Sequence, residues 1–178
     1  MNLILIKSSK KKVILKKIKI IEDAKAKVVK SKQYSDLIKK YKHSKDIIDG
    51  ISIRFCEEID TTAKTINGEI CLSTKLLSSN ILKIARYIIH ELTHVFQHIE
   101  KEGKKQKKKG DYLKNPDEVE AFQYQFDFQE DYENNLEKYI NDFFEFHKVK
   151  EKDKAEILNS FIKRLDDKSI KEKVLKDD

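Results

Sequence analysis

The sequence predicts an α+β protein, with a small early sheet that contains a β-hairpin and several helices after it. Short β-branched runs flank the dipeptide Asn67-Gly68, which is a strong hairpin signal. Apolar residues then recur at helical spacing in two long stretches further along the chain. Only four glycines and one proline occur in 178 residues, and all lie at predicted boundaries, so most of the chain is expected to be helical.

The first forty residues are rich in isoleucine, valine and lysine. Residues 2–7 and 13–21 are apolar and β-branched, a composition that fits strands and helix equally well. Residues 22–43 carry a looser set of apolar residues at helical spacing. The sequence therefore predicts a helix over 22–43 and leaves the type of the preceding elements open.

Three short strands are predicted in the middle of the chain. Residues 51–56 alternate between apolar and polar, as in a half-buried strand. Residues 62–66 and 69–73 form the arms of the predicted hairpin, because they flank the Asn67-Gly68 turn.

A long helix is expected directly after the hairpin. Ser79 or Asn80 is a suitable N-cap, since its side-chain oxygen can accept a hydrogen bond from the first turn. Apolar residues recur at helical spacing from there up to Gly103. Residues 100–114 are predicted to form a mobile basic loop exposed to solvent.

Helical patterns return after Pro116, which suits a first helical turn because its missing N–H has no partner there. They continue to about residue 148, and another pattern covers about 152–175. No internal repeat or break in composition divides the chain. We therefore expect a single domain, with its core at about 51–130 and a C-terminal helical extension at about 131–178.

Composition narrows the classes of partner. The net charge of +7 and the pI near 9.1 are compatible with an anionic partner, but a densely charged soluble surface is the preferred explanation. No basic run is interleaved with aromatic residues and no nucleic-acid-binding motif occurs, so nucleic acid is not expected as a partner. Since 39% of the residues are hydrophobic, a fully disordered chain is excluded.

The cysteines and the N-terminus bear on the compartment. Cys56 and Cys71 show no metal-type spacing; they either face each other across a hairpin or, as we expect, stay free. The apolar run at residues 3–6 is too short for a signal peptide or a membrane span. The sequence thus predicts a cytoplasmic protein without a membrane partner.

The segment HELTHVFQH, residues 90–98, carries the clearest chemical signal. Residues four apart share a helix face, so His90 and His94 can bind one metal ion between them. Glu91 lies about 100° round the helix, where its carboxylate can act as general base without being a ligand. His98 lies roughly 6 Å further along the axis and is expected to be a bystander.

A catalytic zinc site needs a third protein ligand. His43 and His147 have no motif context and are expected to be ordinary, which makes a carboxylate the natural candidate. Glu118 lies in the middle of an aromatic helix face with Phe122, whereas Glu120 falls on the opposite side. A carboxylate on an apolar face must be paired or bind a metal, so the pattern favours Glu118 and leaves Glu120 open.

With these residues the chain resembles the gluzincin-type zincin metallopeptidases, in which an HExxH motif, here HELTH, precedes a ligand glutamate on a later helix. Glu118-x-x-Ala121 followed by Tyr124 is similar to the ExxAN segment of compact ImmA/IrrE-like metallopeptidases, although Phe122 and Gln125 depart from that pattern. No ExxxD pattern follows either glutamate, so the residues that orient the histidines are not identified. The resemblance covers roughly residues 51–130 and implies a zincin-like fold.

The resemblance implies a zinc metalloendopeptidase that hydrolyses peptide bonds. His90, His94 and Glu118 would hold Zn²⁺, which activates a water and polarises the scissile carbonyl. Glu91 would take the proton from that water and deliver it to the leaving amine.

The same scheme gives three further expectations. Tyr112 or Tyr124 could stabilise the oxyanion, or either could be only a packing or surface aromatic. The strand at about 69–73 is expected to offer an open edge for an extended peptide. The basic loop at 100–114 would favour an acidic protein or peptide as substrate.

Two other functions are kept as alternatives. A non-catalytic protein could use zinc to staple two helices while it binds a partner; a fourth ligand from His98 or Glu120 would favour this, and the intact Glu91 argues against it. A basic module for nucleic acid or an acidic protein, with incidental histidines, ranks last. Binding that falls steeply with salt would favour that module.

Overall fold

A computed structural model describes residues 2–101, 111–133 and 135–162 of the chain, with side chains described from Lys11 onward. Six α-helices and a three-stranded mixed sheet lie in these ranges, so the chain is α+β, as predicted. It divides into two compact units, Met1–Glu100 and Lys101–Asp178, which are described in turn. The single domain with a core at about 51–130 stays a prediction.

Two helices open the first unit, α1 (Asn2–Val29) and α2 (Lys32–Lys40). The apolar, β-branched segments whose type the sequence left open belong to the continuous helix α1. Ser31 caps α2, because its Oγ accepts a hydrogen bond from the backbone N–H of Tyr34 at 3.1 Å. The helix predicted over 22–43 is therefore divided between α1 and α2.

The sheet of the first unit consists of β1 (Ile53–Cys56), β2 (Ala63–Ile66) and β3 (Glu69–Ser73). Their order is β1-β3-β2, with β1 parallel and β2 antiparallel to β3. Because β3 is hydrogen-bonded on both sides, the expectation that it offers an open edge is wrong. The outer strands of this sheet are β1 and β2.

The predicted hairpin joins β2 and β3. Its two turn residues have positive backbone angles, with φ of 51° at Asn67 and 82° at Gly68. Asparagine tolerates the left-handed region better than most residues, and glycine adopts it without a steric penalty. The Asn-Gly prediction is confirmed, since two consecutive residues with positive φ match the twist of an antiparallel pair.

The two cysteines lie on neighbouring parallel strands, Cys56 on β1 and Cys71 on β3, and both are free thiols. They do not face each other across the hairpin, which joins β2 to β3. Burial raises the pKa of the Cys71 thiol to about 11, and the neighbouring Cys56 contributes to the increase. The prediction of free thiols is confirmed.

The hairpin is followed by the 20-residue helix α3 (Ile81–Glu100). Asn80 caps it, since its Oδ1 accepts a hydrogen bond from the backbone N–H of Lys83 at 2.7 Å. The helix packs on α1, α2, β2 and β3 of the same unit. Its fully buried apolar residues form much of the core of this unit and include Ile84, Ala85, Ile88, Ile89, Leu92 and Phe96.

The second unit contains α4 (Pro116–Glu133), α5 (Leu136–Phe146) and α6 (Glu151–Phe161). Aromatic rings meet where these helices pack together, for example Phe122 against Phe143 at a centroid distance of 4.9 Å. Such edge-to-face pairs stabilise a core beyond the area that they bury. The cluster consists of Leu113, Phe122, Phe126, Leu136, Ile140, Phe143, Phe144, Ile157, Leu158, Phe161 and Ile162.

Several predicted boundaries shift in this unit. The helical patterns predicted up to about 148 correspond to α4 and α5, with a break between Glu133 and Leu136. The last predicted helix begins one residue early, at Glu151, and is described as far as Phe161. The remainder of that prediction and residues 102–110 of the predicted basic loop lie outside the described residues.

Within the ranges that the structure describes, no helix is both long and apolar enough to cross a membrane. The cytoplasmic location stays a prediction.

Candidate metal centre

The helix α3 buries an unusual number of polar side chains. His90 is 5% exposed and Glu91 is 6% exposed, and Arg86, Thr93 and Gln97 are buried as well. Moving such groups out of water is costly unless they are hydrogen-bonded, paired or bound to a metal. The contacts of these side chains therefore show how the cost of burying them is offset.

The two motif histidines point their Nε2 atoms at each other. Nε2 of His90 lies 3.3 Å from Nε2 of His94, and the ring centroids are 4.9 Å apart. A tetrahedral zinc ion with Zn–N distances of about 2.0–2.1 Å holds two imidazole nitrogens roughly 3.4 Å apart. The separation of these two nitrogens is compatible with a shared zinc ion, and it also allows a hydrogen bond between the two rings.

Gln97 orients one of these rings. Nδ1 of His94 lies 2.9 Å from Oε1 of Gln97, and both residues are on α3, three positions apart. An amide oxygen only accepts hydrogen bonds, so Nδ1 of His94 donates, and in the neutral ring Nε2 then keeps a lone pair. A metal ligand needs this tautomer, and outer partners of this kind fix it in metal sites.

Glu91 is held by the neighbouring strand. The hydroxyl of Thr65, on β2, lies 2.8 Å from Oε2 of Glu91 and 3.0 Å from its backbone oxygen. Since a hydroxyl has one proton, Thr65 donates to one of these two oxygens at a time. The contact fixes the side of α3 on which the Glu91 carboxylate lies.

Glu118 is the buried carboxylate of α4. It is 4% exposed and lies in the first turn of the helix, where the helix dipole favours a negative charge. The turn is stabilised by Asn115, whose Oδ1 accepts a hydrogen bond from the backbone N–H of Asp117 at 3.0 Å. The burial of Glu118 agrees with its predicted place on the aromatic face of α4.

One ligand-type atom from each of His90, His94 and Glu118 lies within 4.8 Å of the other two. These three residues could therefore hold a metal ion. Among the described residues, this group includes neither Glu120, which is partly buried, nor His98, which is exposed. The assignment of Glu118 rather than Glu120 as a zinc ligand stays a prediction.

In comparisons with known proteins, no family model matches the chain, and no curated protein or solved structure is significantly similar to it. What the chain does must therefore be inferred from the chemistry of its own residues.

The donor set fits zinc. Two imidazole nitrogens and one carboxylate oxygen are ligands that zinc uses in catalytic sites, where a fourth position is left for water or substrate. Calcium and magnesium prefer sites built from oxygen atoms, so the two histidines disfavour them.

The remaining predicted residues have other surroundings. Tyr112 is 44% exposed, and its ring stacks on His147 at a centroid distance of 6.0 Å. Tyr124 is buried in α4. His43 packs on Phe96 at 4.6 Å and His147 packs on Phe143 at 4.4 Å. The assignment of an oxyanion donor stays a prediction, and neither histidine belongs to the metal-capable group.

Sequence reasoning missed two polar residues of the site. Gln97 occupies the position three residues after His94, where a side chain can reach the ring, so helical spacing alone could have indicated it. Thr65 is 26 residues from Glu91 in the chain, and its contact depends on how β2 packs on α3. No local pattern could have indicated it.

Proposed function

We propose that this chain is a zinc-dependent peptidase that hydrolyses peptide bonds in a protein or peptide substrate. The observation that carries the proposal is the combination of a metal-capable group, His90, His94 and Glu118, with a buried glutamate next to it in the chain. That glutamate, Glu91, has its own hydrogen-bonding partner on β2. A purely structural metal site would not need a buried glutamate held in this way.

Zinc, when bound, lowers the pKa of water and polarises a carbonyl oxygen. His90 and His94 would contribute neutral imidazole nitrogens, and Glu118 would contribute one negative charge. Gln97 would keep Nε2 of His94 free of a proton, because it accepts the hydrogen bond from Nδ1. The number of protein ligands in this group is three, which supports a catalytic site over a purely structural one.

Glu91 would act as the general base. Its Oε2 is within hydrogen-bonding distance of Thr65, which leaves Oε1 to accept a proton from water and later deliver it to the leaving amine. Thr65 touches no reacting atom in this scheme, and its role is to position the carboxylate. Burial of Glu91 removes competing solvent and keeps the carboxylate in one orientation.

The strand β2 would position the substrate. It is an outer strand of the described sheet, and through Thr65 it lies next to Glu91. An extended peptide that added to the outer edge of β2 would pair its backbone there and run past Glu91. This arrangement replaces β3, which is paired on both sides.

The test is hydrolysis of denatured casein and of a mixed fluorogenic peptide library by the full chain loaded with zinc. Glu91→Gln removes the base but not the proposed metal ligands, so the rate is expected to fall roughly 10²–10⁴-fold while bound zinc stays near one per chain. Glu100→Gln is the matched control, since it changes an exposed glutamate on the same helix. It is expected to behave like the wild type.

Two results would contradict the proposal. One is hydrolysis by Glu91→Gln at the wild-type rate. The other is stoichiometric zinc in a chain that cleaves none of these substrates, which would favour the non-catalytic zinc protein instead.

A further inference from the structure

The first half of α1 carries a patch of exposed apolar residues within a basic segment. Val13, Ile14, Leu15 and Ile18 are exposed by 53%, 55%, 55% and 51%. Exposed lysines surround them, and these are Lys11, Lys12, Lys16 and Lys19. We call these eight residues the α1 patch.

Two apolar residues of the α1 patch, Leu15 and Ile18, do not belong to the face that α1 buries, whereas Val13 and Ile14 lie within about 60° of the centre of that face. Further along the helix, Ala24 and Val28 are fully buried where α1 packs in the first unit. With 100° per residue, Ile18 lies about 100° and Leu15 about 160° round the helix from the mean direction of Ala24 and Val28. Core packing therefore does not explain why Ile18 and Leu15 are apolar.

The charged residues of this segment are almost all positive. The first 21 residues contain seven lysines and no acidic residue, and the first acid is Glu22. Within the α1 patch, Lys19 forms an ion pair with Asp23 one turn further on, at 3.5 Å between Nζ and Oδ2. Because both partners of this pair are largely exposed, it compensates little of the positive potential.

Three occupants could be considered, and the charges choose between them. A second copy would bring its own lysines against those of the α1 patch, which is repulsive. A nucleic acid would neutralise the lysines but leave the isoleucines and Leu15 in water. An anionic bilayer satisfies both sets, since lysines contact lipid phosphates while apolar side chains enter the boundary of the acyl chains.

We propose that the α1 patch binds the surface of an anionic phospholipid bilayer. The helix lies in the plane of the membrane interface, with Ile14, Leu15 and Ile18 inserted and the lysines at the level of the headgroups. The sequence alone predicted no membrane partner, because its apolar runs are too short to span. A helix that lies on the surface does not need that length.

The test is co-sedimentation of the full chain with vesicles of phosphatidylcholine alone and of phosphatidylcholine with phosphatidylglycerol at a ratio of about 3:1. We expect binding to the anionic vesicles that weakens at high salt, and little binding to the neutral ones. The double variant Ile14→Ser/Ile18→Ser keeps the net charge but removes the inserted side chains. Its affinity for anionic vesicles is expected to be at least about tenfold lower.

Two controls separate insertion from general attraction of a basic protein. Phe146→Ser removes a large apolar residue that is 75% exposed, the highest value among the described apolar residues of the second unit, and is expected to bind vesicles like the wild type. Lys12→Gln/Lys16→Gln is expected to weaken binding more than Lys138→Gln/Lys152→Gln, which removes two exposed lysines elsewhere. Thermal unfolding checks that each variant folds.

Three outcomes would overturn the proposal. The first is equal binding to neutral and anionic vesicles. The second is unchanged vesicle binding by Ile14→Ser/Ile18→Ser, because the chain would then be held by charge alone. The third is a wild-type dimer in sedimentation equilibrium that Ile14→Ser/Ile18→Ser dissociates, because a second copy would then cover the α1 patch.

Discussion

The two longest helices of the first unit, α1 and α3, break the usual distribution of polarity in opposite ways. In its first half, α1 exposes Val13, Ile14, Leu15 and Ile18 to water. The helix α3 buries polar side chains within its core-facing surface, and these are Arg86, His90, Glu91, Thr93 and Gln97. Core packing alone does not account for either departure, since exposed apolar groups gain nothing from burial and buried polar groups must be hydrogen-bonded, paired or bound to a metal.

The difference between the two helices suggests a different type of binding partner for each. Buried polar groups that converge on one point, as His90 and His94 do at 3.3 Å, are explained by a small ligand such as a metal ion. Exposed apolar groups surrounded by lysines are explained by a large surface.

The largest expected effect is on stability. It is measured by making the same type of substitution, isoleucine to alanine, once in each helix. Ile88→Ala in α3 removes a fully buried side chain and should lower the free energy of unfolding by about 2–5 kcal/mol. Ile18→Ala in α1 removes a half-exposed side chain and should change it by less than about 0.5 kcal/mol. Urea unfolding followed by circular dichroism measures both. Equal losses would show that the α1 patch is part of a core.

The next effect concerns the orientation of His94. Gln97→Ala removes the acceptor of the Nδ1 hydrogen bond, and the affinity for zinc should fall roughly 10–100-fold. Gln97→Glu keeps an acceptor at the same place and should retain zinc affinity. Titration with a chromogenic chelator as competitor measures the affinities. If Gln97→Ala binds zinc as tightly as the wild type, Gln97 plays no part in orienting the ligand.

The smallest effect is expected for the residue that positions the base. Thr65→Val removes the hydroxyl that contacts Glu91 at 2.8 Å. We expect kcat to fall about tenfold with KM and bound zinc unchanged, because only the orientation of the base is lost. Thr65→Ser restores the hydroxyl and should recover most of the rate. A change in KM alone would assign Thr65 to substrate binding.

The elements with strong local signals were predicted well. Asn67-Gly68 predicted the hairpin, and Asn80 with the apolar spacing after it predicted α3. The type of α1 could not be predicted, because its isoleucines and valine favour strands while its lysines and leucines suit a helix, so local preference does not choose between the two. The parallel pairing of β1 with β3 could not be predicted either, since it joins strands that are separated by β2 in the sequence.

The sequence could predict only those parts of the site that depend on the spacing of residues within one helix. The pair His90 and His94 follows from the four-residue repeat of a helix, and the aromatic face of α4 favoured Glu118. That wheel argument was incomplete, because Asp127, on the side of α4 opposite Glu118, is buried as well. Thr65 was missed because its contact with Glu91 arises from tertiary packing and leaves no periodic trace in the sequence.

The central claim is that His90, His94 and Glu118 are placed together to bind zinc. Metal analysis of the wild type beside Glu118→Ala and Glu120→Ala tests this claim most directly. The two variants remove carboxylates two positions apart on the same helix, so they form a matched pair. We predict about one zinc per chain in the wild type and in Glu120→Ala, and a large loss of zinc in Glu118→Ala. A wild type that holds no stoichiometric zinc after supplementation, or a Glu118→Ala variant that holds as much zinc as the wild type, would contradict the account.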